Sequence, residues 1–578
     1  MIKILKKYMK GAVLLALLAP VFMAVEVFMD ILQPTYMAEI IDVGVAGGNI
    51  PFIWDRGKMM LLVAVIGTVG GMGCTIFSSI AAMRFGANLR QGLFDKIQTL
   101  SFKEIDGFTT SSLVTRLTND VTQLQMMLMM GLRMLVRAPL SCIGGLVMAY
   151  MLSPKMSLIF AASLPLLFLA VLFIIRKAFP LFTEIQKRVD RVNTVMRENL
   201  LGVRVVKAFV GQEHERERFK TANTDLMDWS LRAANLTILL MPIVTLIMNV
   251  SVVALFWFGG NLAIAGEFET GKIMAFMSYL TQALFSLMMV VMMLMGFSRA
   301  QASAGRVNEV LDTESSITDP VRPAQMNGCS VEFDHVSFRY EENDPEYVLN
   351  DISFTVQEGQ TVGIIGATGS GKSTLVSLIP RLYDVSEGTV RIGGADVRSL
   401  NRRDLRRTVG MVLQDSILFA GTVRENLRWA DDECDFSLIE EAAKDAQAAE
   451  FLSANAEGYD AVVEQRGKNF SGGQKQRLSI ARTFARRPRV LILDDSTSAV
   501  DTATEAKIRQ AIAGRRDSSI VFIIAQRISA ISRADKIIVL DQGRISGMGA
   551  HEELLAQNEI YRSIAVSQLG EEVLHNAG

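Results

Sequence analysis

The sequence has few cysteines, few aromatic residues and no excess of charge of either sign. Its 578 residues include four cysteines, and 59 basic residues nearly balance 60 acidic ones. Four widely spaced cysteines without a CxxC pair argue against both a disulfide framework and a structural zinc site. The charge balance gives no indication of nucleic-acid binding. Hydrophobic residues make up 50% and charged residues 21%, which excludes intrinsic disorder, a fibrous chain and a small secreted scaffold.

Long apolar runs predict an integral membrane domain over residues 1–310. Six stretches of about 20 residues or more are long enough to cross a hydrocarbon core of roughly 30 Å as helices. The first follows four lysines, but it is too long for a signal-peptide h-region and no small-residue cleavage pattern ends it. The predicted spans are residues 11–33, 59–83, 132–152, 156–175, 238–265 and 273–297.

The distribution of lysine and arginine predicts a multi-pass protein of the cytoplasmic (inner) membrane with both termini in the cytoplasm. Alternate connections hold 21 and four basic residues in total, and the positive-inside rule assigns the richer set to the cytoplasm. The connections over 83–131 and 176–235 are too long for simple loops, so we expect helical extensions of the spans. The second could instead be a solvated coil, although its apolar positions keep helical spacing.

Composition changes after about Arg299. A stretch rich in Ser, Thr, Asp and Pro predicts a linker over 311–328. Beyond it, short β-rich runs alternate with helical patterns, which is typical of an α/β domain with a largely parallel sheet. We expect this domain over 329–566 and a C-terminal tail over 567–578.

Two motifs in the second half predict a nucleotide-binding fold. The first, GATGSGKS, follows an apolar strand and opens a helix, so its backbone N–H groups can cradle phosphates as a P-loop does. We expect Lys372 to reach the outer phosphates of ATP and the Ser373 hydroxyl to bind Mg²⁺. Asp494 ends the strand VLILD, where an acid can hold the Mg²⁺ shell. The predicted P-loop contacts are Gly366, Ala367, Thr368, Gly369, Ser370, Gly371, Lys372, Ser373 and Thr374.

A third motif, SGGQ, opens a basic helix between these two and on physical grounds could be only an anion-binding turn. The order of P-loop, Gln414, SGGQ and the DD strand resembles the ATP-binding cassette (ABC) family. The six preceding spans resemble its exporter branch, over essentially the whole chain. The resemblance implies a membrane α-helical domain of six transmembrane helices, followed by an α/β P-loop nucleotide-binding domain.

The resemblance also implies roles for further residues. Tyr340 matches the aromatic that stacks on adenine, although it could be an ordinary strand aromatic. Gln414 matches a glutamine that contacts Mg²⁺, so the implied metal ligands are Ser373, Gln414 and Asp494. Asp501 matches a loop that communicates across the dimer interface. The signature residues, which would close over the γ-phosphate bound by a second chain, are Ser471, Gly472, Gly473 and Gln474.

Two further segments, 101–108 and 206–212, resemble the coupling helices that dock on the cassettes. They lie in the two charged extensions of the membrane domain. The resemblance therefore implies that these extensions carry motion from the cassettes into the membrane helices.

Two positions depart from the family pattern. Asp495 stands where the family usually has a glutamate that polarises the attacking water. Its shorter side chain places the carboxylate about 1.5 Å too far back, a misplacement that can cost about a hundredfold in rate. Gln526 stands where the family usually has a histidine, and glutamine carries neither a transferable proton nor a positive charge. Together the two changes predict a site that binds ATP but hydrolyses it poorly.

This combination resembles one half of the bacterial heterodimeric multidrug exporters. We expect ATP-driven export of hydrophobic or amphipathic compounds by alternating access, with this chain's intact signature completing the partner's hydrolytic site. A homodimeric lipid or drug flippase with slow hydrolysis is one alternative, and a nucleotide-gated channel or sensor subunit is another. The expected partners are a second half-transporter, the lipid bilayer and an apolar small molecule, with no nucleic acid.

Substrate signals in the membrane half point in several directions. Glu26 and Asp30, one turn apart, could attract cations, or Asp30 could lie near the outer interface. Arg133 and Arg137 could favour anions or mark the inner boundary. Met288, Met292 and Met295 could line a cavity for promiscuous ligands, or they could face lipid or neighbouring helices.

Overall fold

The computed structural model describes residues 1–429, 434–515 and 519–569, and in the last long helix it omits the side chains of 291, 292, 294, 295 and 298. The predicted tail is therefore described only to Leu569, and Met292 and Met295 lie outside the described side chains. The chain divides into two compact units. The first consists of Met1–Gln98 and Thr110–Thr313, and the second of Thr99–Thr109 and the chain from Glu314 onward.

The first unit is helical. In the described part of the chain, six helical segments are long and apolar enough to cross a membrane, which confirms the predicted number of spans. They cover Val13–Val45, Ile50–Thr99, Thr110–Leu152, Leu158–Leu201, Gln212–Ile264 and Thr270–Val290. The α-helices between Met1 and Thr313 are α1 Ile2–Tyr8, α2 Val13–Glu39, α3 Ile50–Thr99, α4 Phe102–Phe108, α5 Thr110–Thr115, α6 Val121–Leu152, α7 Leu158–Leu201, α8 Val203–Ala208, α9 Gln212–Thr237, α10 Leu240–Ile264 and α11 Thr270–Asp312. Of these, α4 belongs to the second unit.

Several helices extend well beyond the apolar runs that mark them in the sequence. The run at 59–83 lies inside the 50-residue helix α3, and the run at 156–175 lies mostly inside the 44-residue helix α7. Their polar ends stay helical because straight-chain charged residues are good helix formers. The predicted coupling segment 206–212 includes the end of α8 and the turn before α9, whereas 101–108 coincides with α4 and its capping residue Ser101.

Helices α2, α6 and α11 pack together in the core of the first unit. Tyr279 of α11 is fully buried there, and its hydroxyl donates to the Ile31 carbonyl at 2.9 Å and lies 2.8 Å from Thr35 Oγ1. These contacts satisfy a polar group that has no water to bind in an apolar interior.

The second unit is an α/β domain. Its strands are β1 Val331–Phe338, β2 Leu349–Val356, β3 Thr361–Gly366, β4 Glu387–Ile392, β5 Ala395–Asp396, β6 Val409–Val412, β7 Gly421–Thr422, β8 Val462–Val463, β9 Val490–Asp494, β10 Ile520–Ile524, β11 Lys536–Asp541 and β12 Arg544–Gly549. Its helices after α4 are α12 Lys372–Ser377, α13 Arg402–Thr408, α14 Val423–Arg428, α15 Phe436–Asp445, α16 Ala449–Ser453, α17 Gly472–Ala485, α18 Thr502–Ala513, α19 Ile528–Ile531, α20 His551–Gln557 and α21 Glu559–Leu569.

A six-stranded sheet with the order β12-β11-β3-β10-β9-β6 forms the centre of this unit. All of its pairings are parallel except that of β11 with the edge strand β12. β9 is buried at every position, as expected for a strand of a parallel sheet covered on both faces. A four-stranded antiparallel sheet, β2-β1-β4-β5, lies in the same unit. The predicted fold class is confirmed.

Candidate functional site

Four parallel strands of the central sheet end at the candidate site. β3, β10, β9 and β6 are neighbours, so their carboxyl ends share one edge. The P-loop follows β3, Asp494 ends β9, Gln526 follows β10 and Gln414 follows β6. Sheet topology therefore brings residues separated by more than a hundred positions to the edge where open parallel sheets bind ligands.

The P-loop has the geometry of a phosphate cradle. Gly371 has a φ of 95°, a left-handed conformation, and an added Cβ would lie 2.7 Å from Leu349 Cδ2, so only glycine fits there. Lys372 Nζ donates to the loop carbonyls of Gly366 and Ala367 at 2.9 and 2.7 Å. Among the described residues, Ser370 Oγ is buried without a hydrogen-bond partner. A loop that curls around its own ammonium group, with backbone N–H groups and a free hydroxyl facing inward, fits a phosphate.

Ser373 and Asp494 meet beside the loop. The Ser373 hydroxyl donates to Asp494 Oδ1 at 2.9 Å, and Asp494 is only 5% exposed. Burial and the nearby charge of Asp495 raise the pKa of Asp494, although the bond from Ser373 opposes the shift. Burial lowers the pKa of the Lys372 ammonium, and both carboxylates oppose that shift.

This pair of oxygen ligands fits Mg²⁺, which usually takes one or two protein ligands and completes its shell with water and phosphate oxygens. In keeping with that, the described residues contain no cluster of three or more His, Cys, Asp or Glu side chains that could hold a metal without a substrate. Gln414, the third predicted ligand, is exposed, and no hydrogen bond joins it to Ser373 or Asp494 in the described structure.

The two residues that depart from the family pattern contact each other. Gln526 Nε2 donates to Asp495 Oδ2 at 2.8 Å. Asp495 has a φ of 47°, and its backbone N–H donates to the Ile524 carbonyl at 3.1 Å, which fixes the side chain at the strand ends. Burial raises the pKa of Asp495, and the bond from Gln526 counteracts this rise. The sequence alone did not predict this contact, because the two residues follow different strands.

Tyr340 lies beside the P-loop helix α12. Its hydroxyl is 2.9 Å from Thr374 Oγ1, and its ring meets the Tyr383 ring edge to face at 5.3 Å between centroids. The Tyr383 hydroxyl in turn donates to Asp106 Oδ2 of α4 at 2.6 Å. Sequence reasoning missed Tyr383, and its only signal was an aromatic residue a few positions after α12.

The signature residues form the start of α17. Ser471 Oγ accepts from the Gln474 backbone N–H at 3.3 Å, and Gln474 Oε1 accepts from the Ser471 N–H at 2.9 Å, a capping box. Asp501 caps α18 by accepting from the Thr504 N–H at 3.2 Å, and its hydrogen bonds with Thr504 lower its pKa. No hydrogen bond or ion pair joins Ser471–Gln474 to the P-loop in the described part of the chain.

Comparison with known proteins assigns both units. Residues 16–288 match the ABC transporter transmembrane region, and residues 349–498 match the ABC transporter family. An uncharacterized ABC transporter ATP-binding protein of Bacillus subtilis, YfiB, is 40% identical over 565 residues, which cover 98% of each chain. A putative multidrug export ATP-binding/permease protein of the same organism, YgaD, is 34% identical and covers 85% of each chain.

The fold agrees with these matches. A bacterial Atm1-family ABC exporter, solved with ATP bound, has a TM-score of 0.76 and is 26% identical, with 98% of this chain and 99% of that chain covered. The matches support ATP binding and hydrolysis by the cassette, a cytoplasmic position for it and assembly as a dimer in the inner membrane. The chain therefore belongs to the ABC transporter family, as an exporter half-transporter of six spanning helices followed by one ATP-binding cassette.

Proposed function

We propose that this chain is one half of a heterodimeric exporter of hydrophobic or amphipathic compounds. Its own P-loop site binds ATP and hydrolyses it poorly, while its signature, Ser471–Gln474, completes the hydrolytic site of a partner half-transporter. In this assembly Tyr340 stacks on adenine and Asp501 lies at the interface. Ser373, Gln414 and Asp494 hold Mg²⁺, which neutralises charge on the phosphates when it is bound.

The hydrogen bond between Gln526 and Asp495 carries the proposal. A general base must aim a free carboxylate oxygen at the proton it removes from water. Asp495 is one methylene shorter than glutamate, and one of its oxygens already accepts from Gln526 at 2.8 Å. The amide that occupies this oxygen also cannot offer positive charge to a phosphate. Both deficits concern hydrolysis, whereas the P-loop geometry needed for binding is complete.

Exposed apolar side chains support a partner subunit. Around the turn between α8 and α9 of the isolated chain, Phe209 is 82% exposed and Val205 and Val210 are also exposed. A cluster of this kind in a charged cytoplasmic extension is typical of a surface that another chain covers. The signature at the start of α17 supports the same assembly, since no hydrogen bond or ion pair joins it to its own P-loop among the described residues.

The membrane unit and a relative support the proposed substrate class. The spanning helices are predominantly apolar, and a relative with 34% identity is named as a putative multidrug exporter. Binding of ATP between two cassettes would favour one orientation of the cavity, and shifting the population from about 1:99 to 99:1 takes roughly 5.5 kcal/mol. A site that binds ATP without hydrolysing it can still contribute to that shift.

ATP turnover by the chain purified alone in lipid, after its oligomeric mass is measured, tests the proposal. We expect ATP binding with negligible turnover, binding that is lost in Lys372→Ala, and turnover only after co-expression with a second half-transporter of the same organism. Turnover at the rate of an ordinary exporter from the chain alone, lost in Lys372→Ala, would instead establish a working homodimer. Nucleotide-dependent ion conductance without substrate movement would establish a channel.

A further inference from the structure

A charged cluster lies among the spanning helices of the first unit. Glu26 is at the middle of the 27-residue helix α2, and Asp30 lies one turn further on. Arg137 of α6 forms ion pairs with both carboxylates, at 3.1 Å for its Nη2 and Asp30 Oδ2. Charged groups at membrane depth are costly and usually face a cavity or a pathway. A guanidinium of the same chain engages both carboxylates and offsets one of their two negative charges, which weakens their attraction for a cation.

Arg133, one turn before Arg137 on the same helix, has no such partner. It makes no hydrogen bond or ion pair in the described part of the chain, and its Nε is buried without an acceptor. Arg133 and Glu26 line an open cavity of about 580 Å³. The remaining lining residues all belong to α3 and are Thr68, Gly71, Met72, Thr75 and Ile76. Burial of a guanidinium nitrogen without a hydrogen bond is costly, so a hydrogen-bond acceptor from outside the chain would be stabilised in this cavity.

Helix α3 supplies five of the seven residues that line this cavity. A Cβ at Gly71 would lie 2.9 Å from Glu26 Oε2, so glycine is needed for the carboxylate to stand where it does. On the same helix, the exposed side chains of Met72 and Ile76 form an apolar wall. The cavity therefore combines one unpaired cationic group with an apolar surface.

We propose that this cavity binds the anionic headgroup of an amphipathic compound, a carboxylate or a phosphate, through Arg133. A guanidinium matches both groups with two parallel hydrogen bonds, and the apolar wall of α3 accepts the hydrocarbon part. The inference rests on the proposed export of amphipathic compounds and specifies their charge. Glu26 beside the cavity weakens the attraction for an anion, so removal of its charge strengthens binding.

Equilibrium binding to the full chain in nanodiscs, without ATP and above an empty-nanodisc background, tests this assignment. The probe is radiolabelled hexadecanoate, with unlabelled hexadecanoate, hexadecyl phosphate, hexadecanol and hexadecylammonium as competitors. We expect both anions to compete better than the alcohol or the ammonium compound. The stronger of the two anions identifies the source of the headgroup as carboxylate or phosphate.

Matched variants locate the binding group. Arg133→Ala and the longer Arg133→Gln are expected to weaken hexadecanoate binding about tenfold or more, because a hydrogen-bonded charge pair is lost. Arg133→Lys retains part of the affinity, Glu26→Gln raises it, and Arg176→Ala, on an exposed part of α7, leaves it unchanged. Unaltered ATP binding and elution volume show that a variant is folded.

Equal binding of hexadecanoate by wild type and by both Arg133→Ala and Arg133→Gln would overturn the assignment, as would equal competition by hexadecanol. Preference for hexadecylammonium would also overturn it and would return the cavity to cations. Since this binding needs no hydrolysis, it can fail while the turnover result holds, and turnover can fail while binding holds. The two proposals are therefore tested separately.

Discussion

Asp495 and Gln526 show how two local substitutions combine at the residue scale. In the proposed function each departs from the family pattern for hydrolysis, and a 2.8 Å hydrogen bond joins the Asp495 carboxylate to the Gln526 amide. Asp495 also holds a left-handed backbone conformation, which other residues of the turn must stabilise. Under the proposal, Gln526→His alone leaves a base that is too short, and Asp495→Glu alone leaves no positive charge near the phosphate.

The double variant Asp495→Glu with Gln526→His is expected to raise ATP turnover of the dimeric fraction of this chain alone by about a hundredfold. The glutamate carboxylate extends one methylene further toward the attacking water, and the histidine can carry positive charge. Each site in such a dimer is completed by an intact signature. A steady-state phosphate-release assay in lipid measures the gain, and Lys372→Ala in the double-variant background supplies the blank. Turnover no faster than wild type would show that another feature limits hydrolysis.

The buried Asp494 carboxylate predicts a pH effect. Burial raises its pKa above the unfolded value, so its contribution to stability is complete at acid pH and is lost as pH rises through the folded pKa. Asp494→Asn is therefore expected to raise the melting temperature of the nucleotide-free chain at neutral pH, with a difference that narrows as pH falls. Asn can still accept the Ser373 hydroxyl, so the comparison isolates the charge.

Asp501 is the matched control for this effect, with the opposite sign. Its hydrogen bonds with Thr504 lower its pKa, so its contribution to stability is present above the unfolded pKa and lost as pH falls through the folded pKa. Asp501→Asn is expected to lower the neutral-pH melting temperature, and acid should remove the difference. Melting curves for both variants that shift in parallel with wild type across pH would contradict the assigned causes.

At the scale of elements, α4 and Tyr340 form one packed group with Tyr383 within the second unit. Tyr383 lies between them, with its ring against Tyr340 and its hydroxyl on Asp106. Burial and the bond to Asp106 raise the pKa of Tyr383, so the hydroxyl remains a donor at all physiological pH values. Ser101 and Glu104 cap α4 and hold it as a defined helix.

Tyr383→Phe in the assembled transporter removes the hydrogen bond to Asp106 and keeps the ring contact with Tyr340. The ring that supports Tyr340 remains, so ATP affinity is expected to stay within about twofold of wild type. Loss of a bond to a carboxylate is expected to reduce substrate-stimulated turnover by about tenfold. Nucleotide binding and turnover with and without substrate measure the two effects. A drop in ATP affinity with unchanged stimulation would show that Tyr383 serves only the nucleotide.

The same elements show what the sequence could predict. Features that lie within one segment were predicted from the sequence. These are the six apolar spans and the glycine-rich loop between a strand and a helix, which are β3 and α12. Contacts between segments that are distant in the chain could not be predicted from the sequence. The pairing of Arg137 with two carboxylates of α2 depends on which helix faces pack. The start of α3 at Ile50, ahead of the apolar run at 59–83, was also not predicted, because hydropathy marks where a helix meets lipid and not where the helix begins.

At the scale of the whole molecule, the heterodimer proposal predicts that substitutions in the signature and in the P-loop site of this cassette change ATP turnover to very different extents. If this chain's signature serves the partner's hydrolytic site, Ser471→Ala in the assembled transporter is expected to reduce ATP turnover about tenfold or more, because a hydrogen bond to a charged phosphate is lost. Asp495→Asn is expected to change turnover less than twofold, since the proposal assigns little hydrolysis to its site.

Phosphate release by the co-purified pair in lipid measures this asymmetry, with Ser453→Ala as a matched hydroxyl removal, because the Ser453 hydroxyl is exposed and donates only to carbonyls of its own helix α16. The physical reason is geometric: no hydrogen bond or ion pair joins the signature to the P-loop of the same chain in the described residues, as expected if each acts with a different site of the pair. Turnover abolished by Asp495→Asn and equally by Ser471→Ala would mean that this chain supplies a working base. The two sites would then be equivalent, and Gln526 would be a tolerated substitution.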